Sequence, residues 1–356
     1  KYNISLGSGN MSNNDSGTKN IALGYNTLAA NTTGSNNAGV GYRALYSNTS
    51  GASNNAQGVN ALYSNTTGSY NTGVGQAALR TNTTGNYNTA VGQAALFNAT
   101  TASNNTAMGA QSLFANTTGR ENSSVGFQSL YNNTTGSFNN AQGAYALNKN
   151  TTGIKNTAVG QAAMRANTTG NQNVAIGQNT MRASNSSFNT GIGAESLYNA
   201  TSGSKNTTLG YRTLYTNTTG SLNTVVGFKA GFRNNNSGNT FLGANAGLEN
   251  TGNYNVFLGY NACKTTDYAD SNNYLCIASQ GGNLITGSFE DGDLELGQSN
   301  QGVVTVMNDL LVNDAASFES NMSVMGSATF DSTLTVAGLT NLNGNLAVAG
   351  LTSLNG

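Results

Sequence analysis

Apolar and polar positions follow a short pattern that returns every seventeen residues along most of the chain. In the unit 88–96 (N-T-A-V-G-Q-A-A-L), an alternating run ends at Gly92, and a second apolar run follows it. A polar N-T-T-G segment, as at 82–85, separates successive units and has the composition of a tight turn. Each unit therefore predicts a strand, a bend at the glycine, a second short strand and a polar turn.

The glycine marks the repeat. It recurs at Gly7, Gly24, Gly41, Gly58, Gly75, Gly92, Gly109, Gly126, Gly143, Gly160 and Gly177, and then at Gly193, Gly210, Gly227, Gly243 and Gly259 with spacings of sixteen or seventeen. A fixed short period is typical of a solenoid, in which each repeat stacks on the last. Helix is the competing prediction for A-A-L-F, but helices of about six residues are marginal. We expect roughly fifteen stacked β coils, shortened by one residue only in polar turns, as at 184–187 and 250–252.

The chain divides into four zones. Residues 1–17 look like a partial N-terminal coil, and residues 18–260 form the array. Residues 261–309 are an irregular junction rich in acidic residues, and residues 310–356 repeat every twelve residues. The twelve-residue units have strand alternation but too few large side chains to enclose a core alone. This pattern predicts three chains wound around one axis, as a triple-stranded β-helix stalk.

Composition narrows the function. Only 8% of the residues are charged, the net charge is zero, and there is no histidine, proline or tryptophan. No basic cluster indicates nucleic-acid binding, and no apolar stretch of eighteen or more residues could cross a bilayer. Cys263 and Cys276 are thirteen residues apart, which leaves a disulfide and two buried thiols both open.

No constellation of catalytic or ligand-binding residues is present. The absence of histidine excludes a Ser-His dyad and a histidine metal site. Acidic residues in the array are too few for a paired-carboxylate glycosidase groove. Asp291-Gly292-Asp293 lacks the full calcium-loop pattern, so a solvated junction is the better interpretation. We expect a protein that is not an enzyme and has no catalytic, cofactor-binding or metal-binding residues.

Asparagine recurs at two places in the repeat. One column includes Asn37, Asn71, Asn88, Asn122, Asn156 and Asn173, and its side chains are expected to form a hydrogen-bonded ladder rather than an ion or glycan site. The other column begins the N-T-T-G turns. Its members also match the N-glycosylation sequon, although the turn itself needs Asn, Thr and Gly; they include Asn31, Asn65, Asn82, Asn116, Asn150, Asn167 and Asn217.

An aromatic column follows the leucine of many repeats, and it supplies the candidate site residues. Two interpretations stay open: outward contact with sugars or partners, or cover of the coil edge or a subunit interface. Arg80, Arg165 and Arg182 interrupt the column, which indicates that part of it faces water. The candidate outward-contact aromatics are Tyr46, Tyr63, Tyr131, Tyr198 and Tyr215, with Phe97 and Phe114 in the same column.

The phrases N-T-A-V-G-Q-A-A-L at 88–96 and 156–164, each with N-T-T-G turns, resemble repeats of phage tail-fibre proteins and bacterial tail-fibre-domain proteins. The V-G and I-G steps also resemble the head repeats of trimeric autotransporter adhesins. Residues 275–289 are similar to the segment that closes such arrays, and L-T-V-A-G-L-T-N-L-N-G at 334–344 resembles phage fibre shafts.

This resemblance implies a homotrimeric fibre, in a virion appendage or at the cell surface, that mediates attachment or display. Other fibre or virion proteins would bind its ends, and a cell-surface receptor or glycan would be its target; neither nucleic-acid binding nor membrane insertion is expected. A phage tail fibre is the first hypothesis, and a bacterial trimeric adhesin or extracellular filament subunit is the alternative. An ice-binding solenoid is disfavoured because the threonines lie in turns rather than in a flat Thr-x-Thr ladder.

Overall fold

The computed structural model describes residues 2–264, 270–279, 282–289 and 293–296, with the backbone alone at 282–284 and 293–296. All of them lie in the first of two compact units, which spans residues 1–304. The described residues are all-β and contain no helix. The predicted stalk at 310–356 and the loop residues Asp291 and Gly292 lie outside the described residues.

One short strand in each repeat builds a parallel β-solenoid of about sixteen turns. Each strand pairs in register with the strands before and after it, so the stack is about 70 Å long at ~4.8 Å per strand. The strands are β1 (Ile4–Leu6), β2 (Ile21–Leu23), β3 (Ala38–Val40), β4 (Asn55–Gln57), β5 (Thr72–Val74), β6 (Thr89–Val91), β7 (Thr106–Met108), β8 (Ser123–Val125), β9 (Asn140–Gln142), β10 (Thr157–Val159), β11 (Val174–Ile176), β12 (Thr190–Ile192), β13 (Thr207–Leu209), β14 (Thr224–Val226), β15 (Thr240–Leu242) and β16 (Val256–Leu258).

The first zone of the sequence already belongs to this stack. Strand β1 pairs with β2 residue for residue, with Ile4 opposite Ile21 and Leu6 opposite Leu23. Residues 1–17 therefore contribute a strand to the ladder. The expectation of about fifteen coils becomes sixteen for this reason.

The core of each coil is narrow. In β2–β16 the middle residue of each strand points inward, and Ala90 in β6 is fully buried while Thr89 and Val91 stay partly exposed. The leucine four residues after the glycine fills the remaining space, as Leu96 does after Gly92. A few buried side chains per coil, such as Ala90, Ala95 and Leu96, suffice because successive coils stack their side chains directly on one another.

The repeat glycine occupies a position that no other residue fits well. Gly92 has φ +134°, and a Cβ built there would lie 2.6 Å from both the carbonyl carbon and oxygen of Gly109 in the next coil. Glycine alone tolerates such a φ at no steric cost. The bend that the sequence predicts at this glycine is confirmed.

The prediction of a second strand in each coil, after the repeat glycine, is wrong. The segment after the glycine is a turn in which the φ sign alternates, with Ala94 at +53° and Leu96 at +49°. Its backbone still bonds both neighbouring coils, because Ala94 N donates to Gln76 O at 2.9 Å and Leu96 N donates to Ser112 O at 2.9 Å. Alternating φ curves the chain tightly enough to close a coil, and the bonds to both neighbours offset the cost of left-handed Ala and Leu.

Length changes fall in the polar turn, as expected. The repeat from Gly177 to Gly193 has sixteen residues, and its turn at 184–187 is one residue shorter than N-T-T-G turns elsewhere. Strands β11 and β12 nevertheless pair without a shift, with Val174 opposite Thr190. The deletion therefore leaves the pairing of the strands unchanged.

The array ends in a change of strand direction. Strand β17 (Tyr274–Ser279) still stacks in parallel on β16, but β18 (Gly282–Ser288) and β19 (Asp293–Leu296) pair antiparallel. Cys263, in the last turn, forms a disulfide with Cys276 of β17, which settles the question that the sequence left open. In the chain-entropy model, a loop of this size stabilises the folded state by about 3 kcal/mol.

Candidate functional surfaces

The asparagine that precedes each strand forms a buried ladder along the solenoid. Asn88 Oδ1 accepts hydrogen bonds from Asn105 N at 3.1 Å and Asn105 Nδ2 at 3.2 Å. Asn88 Nδ2 donates to Asn71 Oδ1 at 3.1 Å and to Ala102 O at 2.8 Å. These side chains are fully occupied inside the fold, so the predicted structural ladder is confirmed for this column.

The asparagine that begins each N-T-T-G turn forms a second buried ladder. Asn65 Nδ2 donates to Asn48 Oδ1 at 2.7 Å and to Gly68 O at 2.9 Å within its own turn. All seven candidate sequon asparagines have no exposed surface. The nitrogen that would carry a sugar is inside the coil, so these sequons do not fit glycosylation of the folded protein; they are Asn31, Asn65, Asn82, Asn116, Asn150, Asn167 and Asn217.

The second ladder is interrupted at Ala99, Ser184 and Ala200, and at the first of these coils two substitutions occur together. Ala99 replaces the asparagine, which leaves Asn82 Oδ1 buried and without a hydrogen-bond partner among the described residues. Ala102 replaces the turn glycine three residues later. Elsewhere a Cβ at this glycine would collide with the asparagine of its own turn, at 2.4 Å from Asn82 Oδ1 in the case of Gly85. The absence of asparagine at 99 removes this contact for Ala102, whereas the contact with the next coil's carbonyl, 2.1 Å from Ala102 O in the case of Gly85, does not involve the asparagine.

We predict strong coupling between these two positions. Ala99→Asn alone should destabilise the fold through its contact with the Ala102 Cβ, and Ala102→Gly alone should cost about 0.4–1 kcal/mol in chain entropy. The double variant should be more stable than the natural chain, because Asn82 Oδ1 gains a donor worth about 1–3 kcal/mol. A double-mutant cycle by chemical denaturation measures the coupling, and additive effects of the two changes would contradict it.

The candidate contact aromatics lie half-buried in face-to-face stacks along the coil. Tyr46 stacks on Tyr63 with ring centroids 5.2 Å apart, and Tyr198 stacks on Tyr215 at 5.1 Å. Tyr131 ends a stack of three that begins with Phe97 and Phe114. Because the ring faces cover one another, these stacks present ring edges rather than faces to solvent.

The arginines continue the aromatic column. Arg80 Cζ lies 5.9 Å from the Tyr63 ring centroid and 5.4 Å from that of Phe97, so its guanidinium lies near the rings of both adjacent coils. Arg182 Nη1 donates to Tyr198 Oη at 2.7 Å. The guanidinium groups therefore pack with neighbouring rings through cation–π contacts, and Arg80 is exposed, as expected if this part of the column faces water.

The outer face of the strands forms a long uncharged surface. The first and third residues of each strand point outward, and the third is usually Val, Ile, Leu or Met. Met108 is 45% exposed and Leu242 is 51% exposed, and Val91, Met108 and Val125 lie side by side in adjacent strands. Strands β2–β16 contain no charged residue. We call this surface the outer strand face.

Charge in the array is mostly positive. Thirteen of the fourteen basic residues but only four of the fourteen acidic ones lie in residues 2–264, which carry a net charge of +9. Among the described residues, Glu195 pairs with Arg212 at 2.6 Å and Glu249 pairs with Arg233 at 2.8 Å. The hydrogen bond from Arg212 to Glu195 raises the pKa of the Arg212 guanidinium.

Lys149, Arg165 and Arg182 border a surface groove of about 250 Å³, with Ala166 and Ala183 between them. The groove lies on three consecutive coils, on the part of the column where aromatic rings are absent. We call it the cationic groove. The arginines are visible in the sequence but the groove is not, because the side chains of separate repeats meet only when the coils stack.

Within the described part of the chain, no group of His, Cys, Asp or Glu side chains is placed to hold a metal ion. The same residues include no helix of the length and apolarity that a membrane span requires. Comparisons with protein-family models, with curated proteins and with solved structures find no match for the chain. On its architecture, the chain belongs to the class of parallel β-solenoid repeat proteins.

Proposed function

We propose that this protein is a structural fibre subunit for attachment and display, in a phage tail fibre or a related virion appendage. The observation that carries the proposal is the unbroken solenoid: sixteen parallel strands pair in register. Two buried asparagine ladders reinforce them along the same axis. Such an arrangement resists bending because each coil is bonded to both neighbours over most of its backbone.

The surface of the array suits a spacer better than a specific receptor site. The same short polar turns recur on each coil, and the aromatic stacks cover their own ring faces. Repetition favours weak contacts that add through multivalency rather than one tight site. Together with the absence of histidine, this supports a mechanical role without catalysis.

The fibre is proposed to be a homotrimer, as the resemblance to tail-fibre and adhesin repeats implies. The outer strand face is the surface we assign to the contact between copies. It carries no charge in β2–β16, and its third strand position is Val, Ile, Leu or Met except at Gln57 and Gln142, whereas large apolar patches are rare on monomers. Three copies with parallel axes would bring identical coils to the same height, so the Val, Ile and Leu columns would meet one another.

Mass photometry and electron microscopy of the purified full chain test the fibre proposal. We expect a trimer that appears as a rod with a section of at least about 70 Å. The double variant Val125→Lys/Ile176→Lys should separate the three arrays in micrographs, because three copies cannot bury six lysine charges, even where the stalk predicted at 310–356 still joins the chains. Thr135→Lys, on an exposed polar turn, is the matched control and should keep the three arrays together.

A stable monomer of the natural chain would contradict the trimer and leave a single-chain solenoid. Immunogold labelling then separates the two fibre hypotheses. Label on virion appendages supports the tail fibre, whereas label on the surface of a bacterial cell supports the adhesin or filament alternative.

A further inference from the structure

We propose that the cationic groove binds the oxyanion groups, carboxylate or phosphate, of an acidic glycan. This inference goes beyond the fibre proposal, since a rigid spacer needs no such site. It assigns a local binding function to Lys149, Arg165 and Arg182.

The groove has a fixed geometry because the backbone sets the positions of its three cationic residues. Lys149 N donates to Arg165 O at 3.1 Å, and Ala166 N donates to Arg182 O at 3.0 Å. The residues thus lie on adjacent coils, about 4.8 Å apart along the axis. Ala166 and Ala183 are short, so the long basic side chains border an open space rather than a packed one.

Aromatic neighbours hold the two guanidinium groups in place. Arg182 Nη1 donates to Tyr198 Oη at 2.7 Å, and Arg165 Cζ lies 5.3 Å from the centroid of the Tyr145 ring. Arg165 Nε is buried and has no hydrogen-bond partner among the described residues. A guanidinium that is already oriented loses less entropy when it binds an anion, and its parallel N–H groups match a carboxylate or phosphate.

Among the described residues, no ion pair involves a cation of the groove. Residues 122–194 contain no Asp or Glu, and the next acidic residue, Glu195, is paired with Arg212. The three cations therefore repel one another in the free protein, and a bound anion would relieve this repulsion.

The size of the groove favours a glycan over nucleic acid. Proteins that bind duplex DNA through its backbone commonly make about 6–10 phosphate contacts, and the groove offers three cations. Thr152, three residues after Lys149 in the sequence, is exposed and has a hydroxyl group that neutral parts of a sugar chain can bond. One or two acidic groups on a hydroxyl-rich polymer match this surface.

Isothermal titration calorimetry on the full chain tests the site. The probes are oligogalacturonate, inorganic phosphate, neutral dextran and a short DNA duplex. We expect salt-dependent binding of oligogalacturonate, no binding of dextran, and at least a tenfold loss of affinity (roughly one charge-assisted hydrogen bond) in Arg165→Gln/Arg182→Gln. Arg80→Gln, in the same column but outside the groove, is the matched control and should bind like the natural chain.

Arg165→Lys keeps the positive charge but loses the two parallel N–H donors of the guanidinium, so this variant should bind oligogalacturonate with intermediate affinity. It keeps the test valid if the double variant folds poorly. Competition by inorganic phosphate would assign recognition to the oxyanion alone; Arg165-dependent binding without competition would assign it to the saccharide that carries the group. Failure to bind oligogalacturonate and phosphate, an equal loss in Arg80→Gln, or tighter binding of DNA would overturn the proposal. These binding results do not depend on the oligomeric state measured by mass photometry. The fibre proposal is therefore tested separately from the glycan site.

Discussion

Replacing Gly126 by valine is expected to destabilise the solenoid more than any other single change considered. Gly126 has φ +128°, and a Cβ there would lie 2.7 Å from the carbonyl carbon and oxygen of Gly143. The atoms it meets are backbone, so neither coil can move without breaking its strand pairing. We expect the free energy of unfolding to fall by more than about 4 kcal/mol, a loss that single substitutions reach only through severe backbone or packing conflicts.

Denaturation followed by circular dichroism measures the loss. Thr118→Val is the control, because Thr118 is exposed in the polar turn of the preceding coil and tolerates a β-branched residue. The Gly126 variant should melt far below the natural chain or unfold its central coils first, since each coil depends on its neighbours. Equal melting temperatures for the two variants would contradict the assignment of the bend to Gly126.

Replacing Asn88 by leucine should be the second most damaging change. The substitution removes four hydrogen bonds and leaves Asn105 N and Ala102 O buried without these partners. Each buried unsatisfied group costs about 1–3 kcal/mol, so we expect a total on the order of 3–5 kcal/mol. Gln93→Leu, at an exposed position of the same coil, should have little effect.

Asn88→Asp adds a pH test of the same ladder. Burial would raise the pKa of the new carboxyl group above its unfolded value of about 3.9. The protonated acid is then favoured in the folded state, so stability should be highest below pH ~3.9 and fall as pH rises toward the folded pKa. Urea midpoints compared with those of the natural chain at each pH report this slope. A variant whose difference from the natural chain is the same at pH 4 and pH 7 would show that position 88 is solvated.

The sequence predicted the period, the glycine and the asparagine ladder because each is repeated and has a local physical cause. Gly92 needs a φ that only glycine tolerates, and Asn88 bonds its counterparts one repeat away. Repetition makes these residues easy to recognise in the sequence, because a residue type that one coil needs at a given position recurs at the same position of most other coils. The polar turn was identified for the same reason.

The second strand was predicted wrongly because the pattern of apolar residues does not report the sign of φ. Ala94 and Leu96 have side chains suited to a strand, yet both have φ near +50°. Nothing in an A-A-L sequence indicates left-handed backbone, which these residues rarely adopt. Their conformation is fixed by bonds to Gln76 and Ser112 in neighbouring coils, which are contacts that exist only after stacking.

The cationic groove was missed because it is an exception to the repeat. In the sequence, Arg165 and Arg182 interrupt an aromatic column. They line a groove only together with Lys149, which belongs to a different column of the repeat. The pairing of Cys263 with Cys276 was undecided for a similar reason, since a separation of thirteen residues does not by itself bring two sulfurs together.

The strand ladder tolerates sixteen-residue repeats, and this tolerance affects how the number and length of the repeats can change during evolution. Strands β11 and β12 pair in register across a shortened turn, and each strand contacts only its two neighbours. An in-frame duplication or loss of one unit in the gene would therefore lengthen or shorten the array by ~4.8 Å and create no new type of contact. The length of the array could then change by whole units, while the sequences at its two ends stay unchanged.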